Sequence, residues 1–182
     1  MILLINICKE RLHYYEFVKP IEDIIKACGK EFNTIGYKDV SLNNLMGAEK
    51  IIISGTSLQD FSYSEDSVLF SWIKKQQVPI LGICGGMQLL CRTFGCEMIE
   101  GQEIGLIKAK FSDDFLGMAR EKEIYALHNM AVKEDARLKD VFDIFSKTKY
   151  VQAIKHKTKP FYGVLFHPEV RNKGLIEKFL CS

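Results

Sequence analysis

Missing from the 182-residue sequence are a dense basic cluster, a C-x-x-C pair, an internal repeat, a low-complexity tract and any composition break that would mark a linker. Each absence removes a class of protein. Without a repeat or linker, a chain of this length holds one substantial core, so a single domain over residues 1–182 is expected. Cys8, Cys28, Cys84, Cys91, Cys96 and Cys181 show no metal or redox spacing, and a hydrophobic content of 47% is not that of a disulfide scaffold. All but Cys84 read as small hydrophobes in a reducing compartment. His13, His128 and His156 add no zinc spacing, so no metal is expected. The opening "MILLINIC" has no basic residues before it and no small-residue cleavage site after it, and it is far too short to span a bilayer. It reads as a buried strand of a cytoplasmic protein with no membrane partner. The nearest approach to a basic surface, "KHKTK" at Lys155 to Lys159, reads as a solvated turn, so no nucleic-acid partner is expected either.

What is present is an alternation of short aliphatic runs with longer stretches of helical period, the signature of βαβ units. Met1 to Ile7, Glu31 to Tyr37, Lys50 to Ser54, Val78 to Ile83 and Phe161 to Phe166 read as core strands. Tyr15 to Lys30 is predicted as a helix with Phe17, Ile21, Ile24, Ile25 and Cys28 on one face, ended by Gly29. Asp66 to Gln77 is predicted as another, burying Val68, Leu69, Trp72 and Ile73, with a third through Leu89, Leu90 and Phe94 and a last one over Leu175 to Leu180. Gly105 to Phe111, Glu123 to Val132 and Tyr150 to His156 are more polar strands. The expected fold class is α/β, an open and mainly parallel central sheet with helices on both faces, plus a small antiparallel or mixed extension.

Chemistry concentrates in two places. Gly82-Ile83-Cys84-Gly85-Gly86 fits G-x-nucleophile-x-G, a sharp strand-to-helix turn that would seat Cys84 at a helix N-terminus, where free N–H groups favour a thiolate. The N–H of Gly85 would point into the same space and stabilise an oxyanion. His167-Pro168-Glu169 follows the last core strand; in an extended segment His and Glu two apart share a side, giving a base with its orienting carboxylate. Either motif alone also fits a plain strand end or a surface turn. Together they lie at the carboxyl ends of parallel strands, where open α/β sheets place their sites.

"GICGGMQ", Gly82 to Gln88, resembles the G-[IV]-C-x-G-x-Q signature of class I glutamine amidotransferases, and "YGVLFHPE", Tyr162 to Glu169, resembles their G-V-Q-F-H-P-E signature. The order of the motifs matches over essentially the whole chain. The resemblance implies a flavodoxin-like fold and a glutaminase in which Cys84 attacks the side-chain amide of L-glutamine through a γ-glutamyl thioester. In it His167 is the base, Glu169 its orienter and Gln88 a substrate contact. "IISGT", Ile52 to Thr56, resembles the family's oxyanion loop, so Gly55 and Thr56 join Gly85 in the oxyanion hole. His128, Asn129 and Met130 of "HNMAV" resemble the segment that grips the amino-acid end of glutamine. The stretch Gln152 to Val170 is most like the glutaminase subunit of archaeal-type GMP synthetase, a subgroup of that family.

That likeness implies a partner of the ATP-pyrophosphatase type that receives the ammonia, a place in purine biosynthesis and GMP synthesis, and no cofactor in this chain, ATP and Mg²⁺ belonging to the partner. Departures from the family pattern are Thr56 for the second loop glycine, Ser57 for its proline, Met130 for an aspartate, Gln152 for a glutamate, and "NICKE" after the first strand. Thr56 tolerates a positive φ badly, which predicts a shifted or less active loop. Two other readings share these residues: a stand-alone γ-glutamyl hydrolase acting on another γ-glutamyl conjugate, and a non-catalytic regulatory relative, which the intact Cys84, His167 and Glu169 oppose.

Overall fold

The computed structural model describes residues 1–182. Nine strands form one sheet in the order β2-β1-β3-β4-β9-β8-β7-β5-β6. Its parallel half consists of β2 (Phe32–Gly36), β1 (Ile2–Asn6), β3 (Lys50–Ile53), β4 (Ile80–Ile83) and β9 (Phe161–Val164). The antiparallel half consists of β8 (Val151–His156), β7 (Phe142–Lys147), β5 (Met98–Phe115) and β6 (Met118–Val132). Seven α-helices accompany them: α1 (Arg11–His13), α2 (Lys19–Ala27), α3 (Leu42–Met46), α4 (Ser62–Glu65), α5 (Gly85–Thr93), α6 (Ala136–Val141) and α7 (Lys173–Cys181). No helix is long and apolar enough to cross a membrane.

Alternation in the strands distributes the core to both faces of the sheet. Ile2 and Leu4 of β1 join Ile21, Ile24 and Ile25 of α2 and Ile176 and Phe179 of α7 on one side. Leu3 and Ile5 join Leu45, Phe70, Ile73, Leu89 and Leu90 on the other. A third cluster lies where α5 meets the antiparallel half, around Met87, Cys91, Ala131, Phe142 and Leu165. At about 25 cal/mol per Å² of apolar area removed from water, these three clusters are the main source of stability.

The structure modifies the predicted elements for identifiable reasons. The helix predicted from Tyr15 is a π-helical turn, Tyr14–Val18, followed by α2 with Pro20 in its first turn. Proline has no N–H to give to the carbonyl four residues back, so a regular α-helix does not pass through this point. Gly29, with φ 65°, ends the segment as predicted. Over Ser67–Lys75 the backbone is 3₁₀ rather than α-helical, with three residues per turn. Phe70 and Ile73, three apart, are buried, whereas Val68 and Leu69 are exposed and Trp72 is only partly packed. One of the three polar strands is β8, within its predicted span, whereas the other two extend well beyond their predicted bounds, because β5 and β6 form one long hairpin closed by Leu116 and Gly117, both at positive φ. That is the twist of a two-residue primed turn.

Candidate active site

β4 lies between β3 and β9, and its last residues pair with β9 at Gly82↔Gly163 and Ile83↔Val164. Cys84 follows directly, its N–H donating to Val164 O at 2.7 Å, with φ 48° and ψ −104°. A side-chain-bearing residue in that region costs about 1–3 kcal/mol and is kept where the surroundings over-determine it. They do so here. A methyl group on Gly86 would lie 2.3 Å from Ile53 O, so only glycine lets α5 leave β4 this close to β3. Cys84 is the N-cap of α5. Gly85, first in the helix, therefore has an N–H with no acceptor in a preceding turn.

β9 brings the second motif alongside. The His167 N–H donates to Tyr125 O of β6 at 2.9 Å, and the His167 Nδ1 lies 2.6 Å from Glu169 Oε1. Both side chains are fully buried, and the Phe17 ring covers the imidazole with centroids 5.2 Å apart. Nε2 of His167 has no hydrogen-bond partner, and Cys84 Sγ lies 3.6 Å from Leu127 O of β6. Burial opposes a charged His167, but the Glu169 carboxylate and the neighbouring Cys84 outweigh it and hold the imidazole well above its ordinary pKa. That balance favours the charged form of the imidazole.

Gly55, after β3, closes the group. A methyl group there would sit 2.7 Å from His167 Cε1 and 3.3 Å from Cys84 Cβ. Neither Gly55 N–H nor Thr56 N–H has a backbone or side-chain acceptor, although both residues are buried. Buried backbone donors are almost always paired, so such unpaired N–H groups mark a place prepared for an incoming oxygen. Thr56 is not at positive φ. The loop accommodates it without the strain expected from replacing a glycine.

Gln88, one turn into α5, is fixed by two bonds: Tyr63 Oη donates to its Oε1 at 2.8 Å, and its Nε2 donates to Met130 O at 3.1 Å. Asn129 Nδ2 donates to Leu58 O at 2.9 Å, tying β6 to the loop that follows Gly55. Asn129 and Met130 then line an open cleft of about 520 Å³ with Phe61, Glu100, Gly101, Gln102 and Tyr150. The His128 side chain is turned elsewhere: buried, it contacts Gly101 O through Nδ1 at 2.8 Å and holds Nε2 3.4 Å from Glu103 Oε2. Burial lowers its pKa against the pull of Glu103. No group of three or more His, Cys, Asp or Glu is arranged to hold a metal ion.

Cys84, Gly85, Gly55, Thr56, Gln88, Asn129, Met130, His167 and Glu169 therefore lie together, whereas the His128 side chain is turned toward Gly101 and Glu103. Sequence reasoning did not find Tyr63, Phe17 or the Leu127 carbonyl. None belongs to a motif; each is known only by what it touches.

The family model for glutamine amidotransferase class-I matches residues 13–180. A relative from Methanothermobacter thermautotrophicus, a subunit of glutamine-hydrolyzing GMP synthase, is 36% identical over 108 residues, 56% of this chain. The matched stretch spans 56% of that relative, so a little over half of its length is covered. The protein of the same name from Pyrococcus abyssi is 33% identical over 145 residues, 76% of this chain and 73% of the relative. Among solved structures, a Thermoplasma acidophilum protein assigned provisionally as the same GMP synthase subunit superposes with a TM-score of 0.84 at 21% identity. That likeness, over all of this chain and 93% of the other, is one of fold.

Proposed function

The chain belongs to the glutamine amidotransferase class-I family, and from that premise we propose that it hydrolyses L-glutamine to glutamate and hands the ammonia to a synthetase partner. Cys84 attacks the side-chain carbonyl carbon of glutamine through Sγ as a thiolate, whose charge a protonated His167 balances. The oxygen, gaining charge, is met by the N–H groups of Gly85 and of the Gly55–Thr56 loop, whose contribution to such a step is on the order of 10²–10³ in rate per donor. The C–N bond breaks as His167 delivers its proton to the leaving nitrogen, and ammonia departs. A γ-glutamyl thioester remains. His167, now neutral, takes a proton from water, whose oxygen attacks the thioester carbonyl; glutamate leaves, and the Cys84 thiolate beside a protonated His167 is regenerated. Glu169 holds the imidazole in the required tautomer throughout. Gln88, Asn129 and Met130, with the backbone at His128, position the amino-acid end of the substrate beside the 520 Å³ cleft.

The observation that carries this reading is the meeting of a strained, helix-capping Cys84, unengaged N–H groups at Gly55 and Thr56, and a His167 held on Glu169 within one buried locus. The relatives named as GMP synthase subunits favour a partner of the ATP-pyrophosphatase type, and with it ATP and Mg²⁺, which belong to that partner. The free state of all six cysteines suits a reducing cytoplasm.

Labelling with the glutamine-analogue electrophile diazo-oxo-norleucine, followed by intact-mass and peptide mapping, tests the reading. A single adduct on Cys84, lost in Cys84→Ala and formed faster with the synthetase partner present, is the expected result. Absence of an adduct in both conditions would refute glutamine as the substrate.

A further inference from the structure

Beneath the Gly55–Thr56 loop lies a buried polar cluster that the glutaminase reaction does not use. Asp60 is 5% exposed. Its Oδ2 accepts from the Lys9 N–H at 2.6 Å and from Thr56 Oγ1 at 2.9 Å, while Oδ1 has no partner. His13 Nδ1 lies 3.8 Å from the same Oδ2 and 3.3 Å from Ser57 Oγ. The Cys8 thiol donates to Gly55 O at 3.5 Å, and burial pushes its pKa up to about 12, so it stays a thiol and a donor. Cys8 and His13 thereby hold Gly55 and Ser57 directly, and Lys9 is joined to Thr56 through Asp60. The peptide group between Gly55 and Thr56 is planar and trans, so fixing its carbonyl toward Cys8 also fixes the opposite direction of the Thr56 N–H. Thr56, Ser57 and "NICKE" are three of the five places at which the sequence leaves the family pattern. In the structure they are partners in one cluster.

We propose that Asp60 is a positioning residue which, through the Thr56 hydroxyl and the Lys9 amide, latches the loop so that its free N–H groups face the reacting oxygen. The inference rests on the glutaminase reading and adds to it a buried carboxylate that touches neither substrate nor triad. A latch of this kind acts on the transition state, because the oxygen becomes charged only there. Its loss lowers kcat and leaves KM nearly unchanged.

The test uses the full chain together with its synthetase partner and three variants, Thr56→Val, Thr56→Ser and Asp60→Ala. Thr56→Val and Asp60→Ala are expected to lower kcat for glutamine by about 10- to 100-fold with KM within about twofold. Alkylation of Cys84 by iodoacetamide, a displacement that builds no oxyanion, stays within about twofold of wild type, which separates lost positioning from lost folding. Thr56→Ser, which keeps the hydroxyl, recovers most of the turnover lost in Thr56→Val. The double variant is no slower than the worse single one, since both remove one contact. Independently of any turnover, amide exchange of Lys9 accelerates in Asp60→Ala while that of Ser54, bonded to Ile5 O, does not. An unchanged kcat, an additive double variant, or a Lys9 amide that stays protected overturns the latch. Wild-type protein inert toward glutamine overturns the functional reading instead, and the Lys9 exchange still decides the latch.

Discussion

Gly55 shows how narrowly a single position is constrained, for its α-carbon faces Cys84 and His167 at once. A methyl group 2.7 Å from His167 Cε1 leaves the ring no room in its present plane. The ring is held by Glu169 on one side and by Phe17 on the other. Gly55→Ala must therefore turn the imidazole or shift the loop, and either displaces the proton donor from the leaving nitrogen. A fall in kcat of about 100-fold or more, with the fold intact by circular dichroism, is the expected outcome in a glutamate-release assay. Full turnover in that variant would mean that His167 and Gly55 do not work in contact. At this scale the sequence was most legible where a residue type is demanded by chemistry. Cys84, His167, Glu169 and Gln88 stand in spaced motifs, and the glycines among them are explained by close approach. Tyr63 and Asp60 were not legible, since a tyrosine that holds a glutamine and an acid that holds a loop are ordinary residues until their partners are known. Thr56 was misleading in the opposite sense. Its hydroxyl has a use that a glycine would lack.

The elements that carry the site are β4 with α5 and β9 with the turn after it, and their spacing is set by contacts that side chains cannot soften. Gly86 packs its α-carbon onto the carbonyl of Ile53, so α5 crosses the sheet at backbone contact. Gly86→Ala puts a methyl group 2.3 Å from that oxygen, and the helix must lift away from β3. Overpacking of this sort costs about 1–3 kcal/mol. Because Cys84 is the N-cap of the same helix, the nucleophile moves with it. The variant is expected to melt lower and to resist diazo-oxo-norleucine labelling although its Cys84 is present; labelling at the wild-type rate would show that α5 can lift without moving Cys84. The buried parallel strands were readable from their unbroken aliphatic runs. β7 was not, because Phe142–Lys147 breaks the alternation of a strand: Ile144 and Phe145 are adjacent apolar residues and Ser146 and Lys147 adjacent polar ones, where its pairing register shifts. The 3₁₀ stretch at Ser67–Lys75 escaped notice because its period of three is close to that of an α-helix in nine residues. The outer parts of β5 and β6 carry charges on exposed faces, and their pairing depends on the Leu116-Gly117 turn, which lacks the usual asparagine or aspartate signal.

Across the whole molecule the site sits on the seam between the two halves of the sheet. β4 and β9 supply Cys84 and His167 from the parallel half, and β6 supplies the carbonyls of Tyr125, Leu127 and Met130 from the antiparallel half. Charge at the seam is therefore felt in global stability, and the histidines act on it with opposite signs. His167 has a folded pKa raised above its unfolded value of about 6.5, so its stabilisation is complete below that pH and disappears as pH rises through the folded pKa. His128 and His156 are lowered, chiefly by burial. Their preference for the neutral form is fully present above about pH 6.5 and is lost as pH falls through their folded values. The stability of the protein is thus expected to decline on both sides of neutrality, the alkaline limb belonging to His167 and the acid limb to the other two. Urea unfolding from about pH 5 to pH 9 checks the assignment. In His167→Gln the alkaline slope, up to about 1.4 kcal/mol per pH unit from one such group, should flatten while the acid limb persists. An alkaline limb of unchanged slope in that variant would show that the imidazole is not charged in the folded protein. The proton delivered to ammonia would then have to come to His167 from the Cys84 thiol during the reaction.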